Sequence, residues 1–377
     1  MSQKRLAILL PNLSGGGAER VAVNLANGFA LRGYLVELVL LSATGEFLVD
    51  LRPEIRVIDL QVDRFRMVLI PLVRYLRNAQ PDAMLACMWP LSVIALWARS
   101  LAFVQTRVVI AEHTTWSQDE IAKSHWGRWK VGTSMHFTFP RADGIVTVSK
   151  GSADDLAHLT RLDRSTITVI YNPVVSDEKE PTNELLAPSD WWSGEHRRVL
   201  AVGALKVIKD YTTLLTAFAL LRQRVDARLL ILGEGGCRLT LADQVKQLAL
   251  DGCVFMPGFV KDPTPYFQHA ELHVLSSTGE GFGNVIVEAL AAGTPVVSTD
   301  CQSGPREILS DGKYGRLVPV GNATALAAAI GESLLANHDR RLLKARAQYF
   351  SVSRAVDQYL ALLFPVYDRN KSLRDQL

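Results

Sequence analysis

Short apolar runs separated by longer amphipathic stretches recur along the whole chain, the pattern of parallel strands joined by crossover helices. In the first half the runs predict strands over Leu6–Leu10, Leu35–Leu41, Arg56–Leu60, Ala83–Met88, Val108–Ala111, Ile145–Val148 and Ile167–Tyr171. Between the first two, Val21, Leu25 and Phe29 form one apolar stripe and predict a helix over Ala18–Arg32. From Val174 to His196 the pattern lapses into Ser, Asp, Glu, Lys, Pro and Thr, a linker composition. It resumes with strands expected over Val199–Val202, Leu229–Leu232, Val254–Met256, Leu272–Leu275, Pro295–Ser298 and Arg316–Val320. Beyond Asn322 the chain reads as mostly helical, ending in a segment around Val352–Leu363 that is apolar on one side and must dock on something. The expected architecture is α/β, two Rossmann-like, doubly wound domains facing a cleft. Their expected bounds are residues 1–173 and 197–350, with a linker at 174–196 and a C-terminal helix at 351–377 packing back on the N-terminal domain.

Composition agrees with two globular domains: 377 residues, 48% hydrophobic and 21% charged. The formal net charge of +3 gives no reason to expect a nucleic-acid partner. Its distribution is more informative. Residues 1–173 carry 19 basic against 15 acidic residues, whereas 174–377 carry 22 against 23. Between Leu60 and Ala142 ten basic residues face five acidic ones, and five of the seven tryptophans fall there. The segments Arg64–Arg77 and His125–Lys130 mix basic and large apolar residues, which suits an anionic membrane surface or an ordinary helix with one buried and one solvated face. The first apolar run is too short for a signal-peptide core, and Ala83–Ala98, with Pro90 inside it, falls short of the roughly 18 residues a membrane span needs. A cytoplasmic protein, peripheral on the inner leaflet, is expected. The four cysteines, at 87, 237, 253 and 301, have no metal-ligand spacing and read as buried free thiols.

Two glycine-rich turns follow strands and open helices. In Ser14-Gly15-Gly16-Gly17-Ala18-Glu19-Arg20 the backbone can approach a ligand closely, and amides at a helix start favour an anion such as a diphosphate. The stretch lacks both GxGxxG spacing and the Lys-Ser/Thr pair of a P-loop, and a plain strand-to-helix turn is the alternative. The second turn, Thr278–Pro295, places Gly281, Phe282, Gly283 and Asn284 before a helix whose Val285, Ile286, Val287, Ala289 and Leu290 predict burial nearly all round. Glu288 on that helix needs partners. It leans towards the helix start, where ribose hydroxyls would suit it, although a backbone cap or a buried Arg would satisfy it too. Glu280, with glycine on both sides, is expected on an open turn. Two carboxylates beside a diphosphate demand cations, and Lys206 and Lys209 in Gly203–Asp210 are candidates, though paired loop lysines are also common solvated surface. His113 follows a strand and is either structural or at the reaction centre.

Together these residues resemble the retaining GT-B glycosyltransferases of family GT4, over nearly the whole chain. The most specific element is Glu280 and Glu288 with seven residues between them, inside Glu-Gly-Phe-Gly-Asn and followed by Glu-Ala-Leu-Ala-Ala-Gly-Thr-Pro-Val-Val. Gly15–Glu19, Gly203–Asp210 and Gly233-Glu234-Gly235 match further family segments. The resemblance implies transfer of a hexose or N-acetylhexosamine from a nucleotide diphosphate sugar, UDP favoured over GDP, to a polyprenyl-linked or other surface-glycan acceptor. It implies that Glu288 binds the ribose, Glu280 the donor sugar and Lys209 the diphosphate. Amides of Gly281, Phe282, Gly283 and Asn284, with Gly16 and Gly17, would cradle the phosphates, and Gly258, Phe259 and Val260 would pack against the base. His113 would lie near donor sugar and acceptor. Where the family usually has Gly-Arg-Leu this chain has Gly203-Ala204-Leu205, so Lys206 would have to supply the missing charge. With no Asp-x-Asp anywhere, neither metal nor cofactor is expected. A GT-B nucleotide-sugar epimerase, or an inactive nucleotide-sugar-binding scaffold, are the alternatives.

Overall fold

The structure is a computed structural model that describes residues 3–119, 121, 124–176, 189–192 and 194–365. Most of the expected linker, and the chain beyond residue 365, lie outside the described residues. By contacts the chain divides into two units. The first gathers the chain up to Val148, Ser152–Pro173 and the C-terminal segment from Val352; the second gathers Ser149–Gly151 and Val174–Ser351.

The first unit is built on β1 (Arg5–Leu10), β2 (Leu35–Leu40), β3 (Arg56–Asp59), β4 (Ala83–Cys87), β5 (Arg107–Glu112), β6 (Gly144–Thr147) and β7 (Ile167–Val169). All pair in parallel, in the order β3-β2-β1-β4-β5-β6-β7. Period-2 alternation sorts the strand residues between two faces. Ala7, Leu9, Met84, Ala86, Val108 and Ile110 face the helices Leu69–Ala79, Leu91–Ala102 and His125–Thr138. Leu6, Ile8, Ala83, Leu85, Val109 and Ala111 face the helices Gly17–Leu31 and Val352–Leu363. Burial on both faces explains why the central strands β1, β4 and β5 read as continuous apolar runs, whereas β3 at the sheet edge is exposed at both its ends.

The second unit holds β8 (Arg197–Val202), β9 (Ala227–Leu232), β10 (Val254–Gly258), β11 (Leu272–Leu275), β12 (Val296–Thr299) and β13 (Arg316–Val318). They pair in parallel, in the order β10-β9-β8-β11-β12-β13. Val199, Ala201, Leu229, Ile231, Leu272 and Val274 pack with the helices Tyr211–Arg222 and Ala323–Leu335. In each sheet the strand order reverses once, between β1 and β4 and between β8 and β11. Such switch points, at the carboxyl ends of the strands, are where open α/β sheets bind ligands.

The four cysteines are free, but only Cys87 and Cys301 are buried; Cys237 and Cys253 are half-buried beside the second core. No helix among the described residues is long and apolar enough to cross a membrane.

Candidate active site

At the switch point of the second sheet, the loops after β8 and β11 are bonded into one surface. Ser276 Oγ donates to the Lys209 carbonyl at 2.8 Å, and the Thr278 amide donates to the Ile208 carbonyl at 2.8 Å. These bonds seat Lys209 against the second loop, where its Nζ meets Glu280 Oε1 at 2.6 Å. Ser277 Oγ donates to the same oxygen at 2.6 Å. Glu280 is therefore not displayed on an open turn. Its side chain is only 8% exposed, because the lysine and the serine draw the carboxylate inwards despite the flanking glycines. Cys301 lies close enough that its thiol, already pushed up by burial, is raised further by Glu280, to about 12.

The helix Asn284–Ala292 begins beside this pair. Its N-cap Gly283 has φ 100°, a left-handed conformation suited to glycine, and contributes no side-chain cap. The amides that start a helix suit an anion. Phe282 anchors the preceding turn by packing its buried ring on Phe350 at 5.5 Å, and its carbonyl lies where a Cβ on Gly304 would be, 1.7 Å away. Glu288 is half-buried on the helix, one turn beyond Asn284, which is half-buried as well. Val285 is also only half-buried, so the helix is covered on most of its circumference and open along the Asn284–Glu288 side.

The remaining donor-side candidates spread along the same sheet edge. Gly233 donates its amide to the Gly258 carbonyl at 2.8 Å, and a Cβ on Gly233 would meet the Gly203 carbonyl at 2.0 Å. Glycine at 233 lets these strand ends approach closely. Phe259 beyond Gly258 is half-exposed, a ring available for stacking, with Val260 half-buried beside it. Lys206 is exposed and makes no ion pair among the described residues, whereas Lys209 is held by Glu280. Sequence reasoning missed Ser276 and Ser277. Their signal was a run of three small hydroxyl residues directly after a buried strand.

Gly16, Gly17 and His113 belong to the first unit. Gly16 is the N-cap of the helix Gly17–Leu31, and the Glu19 carboxylate folds back over it to within 1.9 Å of where a Cβ would stand. An anion at Gly16 would share this helix start with a carboxylate. His113 follows β5; its Nδ1 is buried without a hydrogen-bond partner among the described residues, and burial pushes its pKa down to about 4. The imidazole is neutral at physiological pH. Just before it, Glu112 is a fully buried carboxylate that sequence reasoning did not single out.

This architecture, two parallel doubly wound units with glycine-rich loops at the switch point of the second, is that of the GT-B glycosyltransferases. Two family models match the chain, one described as glycosyltransferase family 4 over residues 15–178 and one as glycosyl transferases group 1 over residues 196–337. The chain thus carries a glycosyltransferase family 4 domain followed by a group 1 glycosyl transferase domain. It is 29% identical over 357 residues to the N-acetylgalactosamine-N,N'-diacetylbacillosaminyl-diphospho-undecaprenol 4-alpha-N-acetylgalactosaminyltransferase of Campylobacter jejuni, covering 92% of this chain and 94% of that one. It is also 29% identical over 371 residues to the lipopolysaccharide core biosynthesis glycosyltransferase LpsE of Rhizobium meliloti, covering 92% and 96%. Among solved structures, Anabaena HepE in complex with UDP and glucose has a TM-score of 0.77 at 20% identity, covering 97% of this chain and all of that one. A glycosyltransferase from Rickettsia africae has a TM-score of 0.78 at 17% identity, covering 98% and 100%.

Proposed function

We propose that this glycosyltransferase moves a hexose or N-acetylhexosamine, with retention, from a UDP-sugar such as UDP-GlcNAc or UDP-GalNAc to a polyprenyl-linked or other surface-glycan acceptor. The observation that carries this reading is the Lys209–Glu280–Ser277 group beside the glycine-capped start of the helix Asn284–Ala292. A cation, a fixed carboxylate and helix-start amides together match a sugar diphosphate.

The second unit holds the donor in this reading. Glu288 takes the ribose hydroxyls, Phe259 and Val260 beyond Gly258 take the base, and the amides of Gly281–Asn284 with Lys209 take the diphosphate. Lys206 stands in for the cation that Ala204 lacks. Glu280 orients the sugar. The bond from the anomeric carbon to the phosphate oxygen breaks while the acceptor hydroxyl oxygen bonds that carbon from the same face, and the hydroxyl proton passes to the leaving phosphate oxygen. Amides and lysine stabilise the negative charge that grows on the diphosphate. Gly16 and Gly17 keep the phosphate-binding role expected of them, and His113 serves the donor sugar and the acceptor. The undecaprenol-linked substrate in the Campylobacter relative's name and the lipopolysaccharide role of the Rhizobium one favour a lipid-linked acceptor, and a UDP-bound structural neighbour favours UDP. None of these names is that of an epimerase or an inactive protein.

The first unit would bring the enzyme to the membrane. The helices Leu69–Ala79, Leu91–Ala102 and His125–Thr138 bury one side on the sheet and leave large apolar residues outside: Ile70, Trp97, Leu101, Trp126, Trp129 and Phe137. Arg64, Arg66, Arg74, Arg77, Lys130 and Arg141 are exposed among them. Such a face fits a cytoplasmic enzyme lying on the inner leaflet.

Nucleoside diphosphate release, read on a donor panel with and without membrane extract, tests the transferase reading. Release should depend on acceptor; conversion of the free donor without acceptor would indicate an epimerase instead. Glu280→Ala should cut transfer by about 10²–10³-fold, the scale of losing one preorganised electrostatic group, with unchanged circular dichroism. Full activity in that variant would overturn the site assignment.

A further inference from the structure

Glu112 is the last residue of β5, 1% exposed, and nothing in the donor chemistry uses it. Its Oε1 accepts from Ser92 Oγ at 2.7 Å and its Oε2 from the Trp89 amide at 3.3 Å. Both donors sit at the start of the helix Leu91–Ala102, whose N-cap, Pro90, offers no side-chain cap. The carboxylate from the neighbouring strand instead grips this helix start through a loop amide and a side-chain hydroxyl, where a negative charge is favoured.

The consequence reaches the loops on either side. Trp89, fixed by its amide, sends its indole Nε1 to Ser134 Oγ at 3.0 Å on the helix His125–Thr138. Its ring meets Trp116 edge-on, at 6.0 Å between centroids. Trp116 begins the turn Trp116–Gln118, three residues beyond His113. One buried carboxylate thus ties the loop after β4, the loop after β5 and a third helix together at the carboxyl edge of the first sheet.

We propose that Glu112 is a positioning residue for the acceptor side of the reaction, holding the Trp89 and Trp116 loops in the arrangement that presents His113. This rests on the reading that the first unit receives the acceptor.

Burial raises the Glu112 pKa to about 7, against the two donated bonds that lower it. The groups around it do not share that range. The Cys87 thiol, at the end of β4, is pushed far up by burial and then by Glu112 and Glu19. His113 is pushed down to about 4. Thr147, paired with Glu112 across β6, and Ser92 do not titrate. Ionised Glu112 accepts both bonds; once protonated, one oxygen becomes a donor and the Trp89 loop is less firmly held.

Two measurements on the full chain decide this. Indole fluorescence of the folded protein should titrate with a midpoint near 7, and Glu112→Gln should remove that titration. In transfer assays Glu112→Gln should lower kcat/KM for the acceptor about 10-fold or more while the donor KM stays within about twofold, as expected when a remote group misplaces a reacting one. Glu112→Asp should restore part of both. Should Glu112→Gln fail to fold, Ser92→Ala removes one donor and is read the same way. Unchanged acceptor kinetics, an equal loss for donor and acceptor, or a fluorescence titration that survives in Glu112→Gln would overturn the proposal. If the wild type transfers no sugar at all, the transferase reading fails, while the fluorescence titration still judges the role of Glu112.

Discussion

Buried ionisable residues make opposite demands on this fold as pH changes. Glu112 rises from 4.5 to about 7 through burial, so the folded chain binds its proton more tightly than the unfolded chain does. That stabilisation is complete below pH 4.5 and is lost as pH rises through 7. His113 and His273 move the other way, from 6.5 to about 4 and about 3, again through burial. The stability they permit is present above pH 6.5 and is lost as pH falls through those values. A comparison of wild type with Glu112→Gln separates the contributions, because only the Glu112 part changes. The variant should gain stability relative to wild type between pH 4.5 and 7, on the order of 3 kcal/mol across the window, read by denaturant unfolding at fixed pH steps. A stability difference that stays flat with pH would mean that Glu112 titrates like a solvated carboxyl.

At the scale of elements, docking of the C-terminal helix depends on one absent side chain. Gly28 lies on the face of the helix Gly17–Leu31 that receives Val352–Leu363, and a Cβ there would stand 2.4 Å from Val356 Cγ2 and 3.1 Å from Val352 Cγ1. Arg107 Nε completes the seat by donating to the Leu362 carbonyl at 2.8 Å. Gly28→Val should therefore cost about 1–3 kcal/mol through overpacking. Limited proteolysis should then cut near Ser351 before the rest of the unit is attacked, whereas a wild-type digestion pattern would show that the two helices part without strain. The sequence pattern made this helix visible, since one apolar face repeats over Val352–Leu363, and it made the thirteen strands of the described residues visible: central strands such as Arg5–Leu10 are buried and apolar almost throughout, and outer ones such as Arg56–Asp59 and Arg316–Val318 keep a short apolar run beside exposed polar ends. Short elements such as Thr264–His269 and Pro305–Ile308 were not legible, because a single turn shows no periodicity. The candidate site was legible only in pieces. Glu280 and Lys209 stand 71 positions apart; the need of two carboxylates for a cation made Lys209 one of two candidates, and only the resemblance to a known family gave each a separate role. Glu112 was not legible at all: Ser92 and Trp89, 20 and 23 positions earlier, reach it only because β4 and β5 are neighbours in the sheet.

For the whole molecule, the near-neutral total hides an uneven distribution of charge, 19 basic against 15 acidic residues before position 174 and 22 against 23 after it. The structure gives the basic excess a location. Three successive helices pack on one face of the first sheet, and Arg77 Nη2 joins two of them through the Leu101 carbonyl at 2.8 Å. Their outer side carries Trp126 at 71% exposure, Trp129 at 64% and Ile70 at 64%. Exposed tryptophans with basic residues near them in the chain are what the proposed attachment to a bilayer with anionic headgroups would use. The expected result is sedimentation with vesicles containing phosphatidylglycerol at low salt, weakening as salt rises, and little binding to phosphatidylcholine alone. Tryptophan emission should be quenched by lipids brominated near the headgroup. Arg66→Glu with Arg74→Glu should weaken vesicle binding at least 10-fold, at about 1 kcal/mol for each basic residue lost and more for reversal. The same double variant should keep wild-type turnover on a water-soluble acceptor analogue, because neither arginine touches the residues assigned to the reaction. If the wild type ignores anionic vesicles at low salt, this face is ordinary solvated surface and the inner-leaflet assignment falls, leaving the donor chemistry of the second unit untouched.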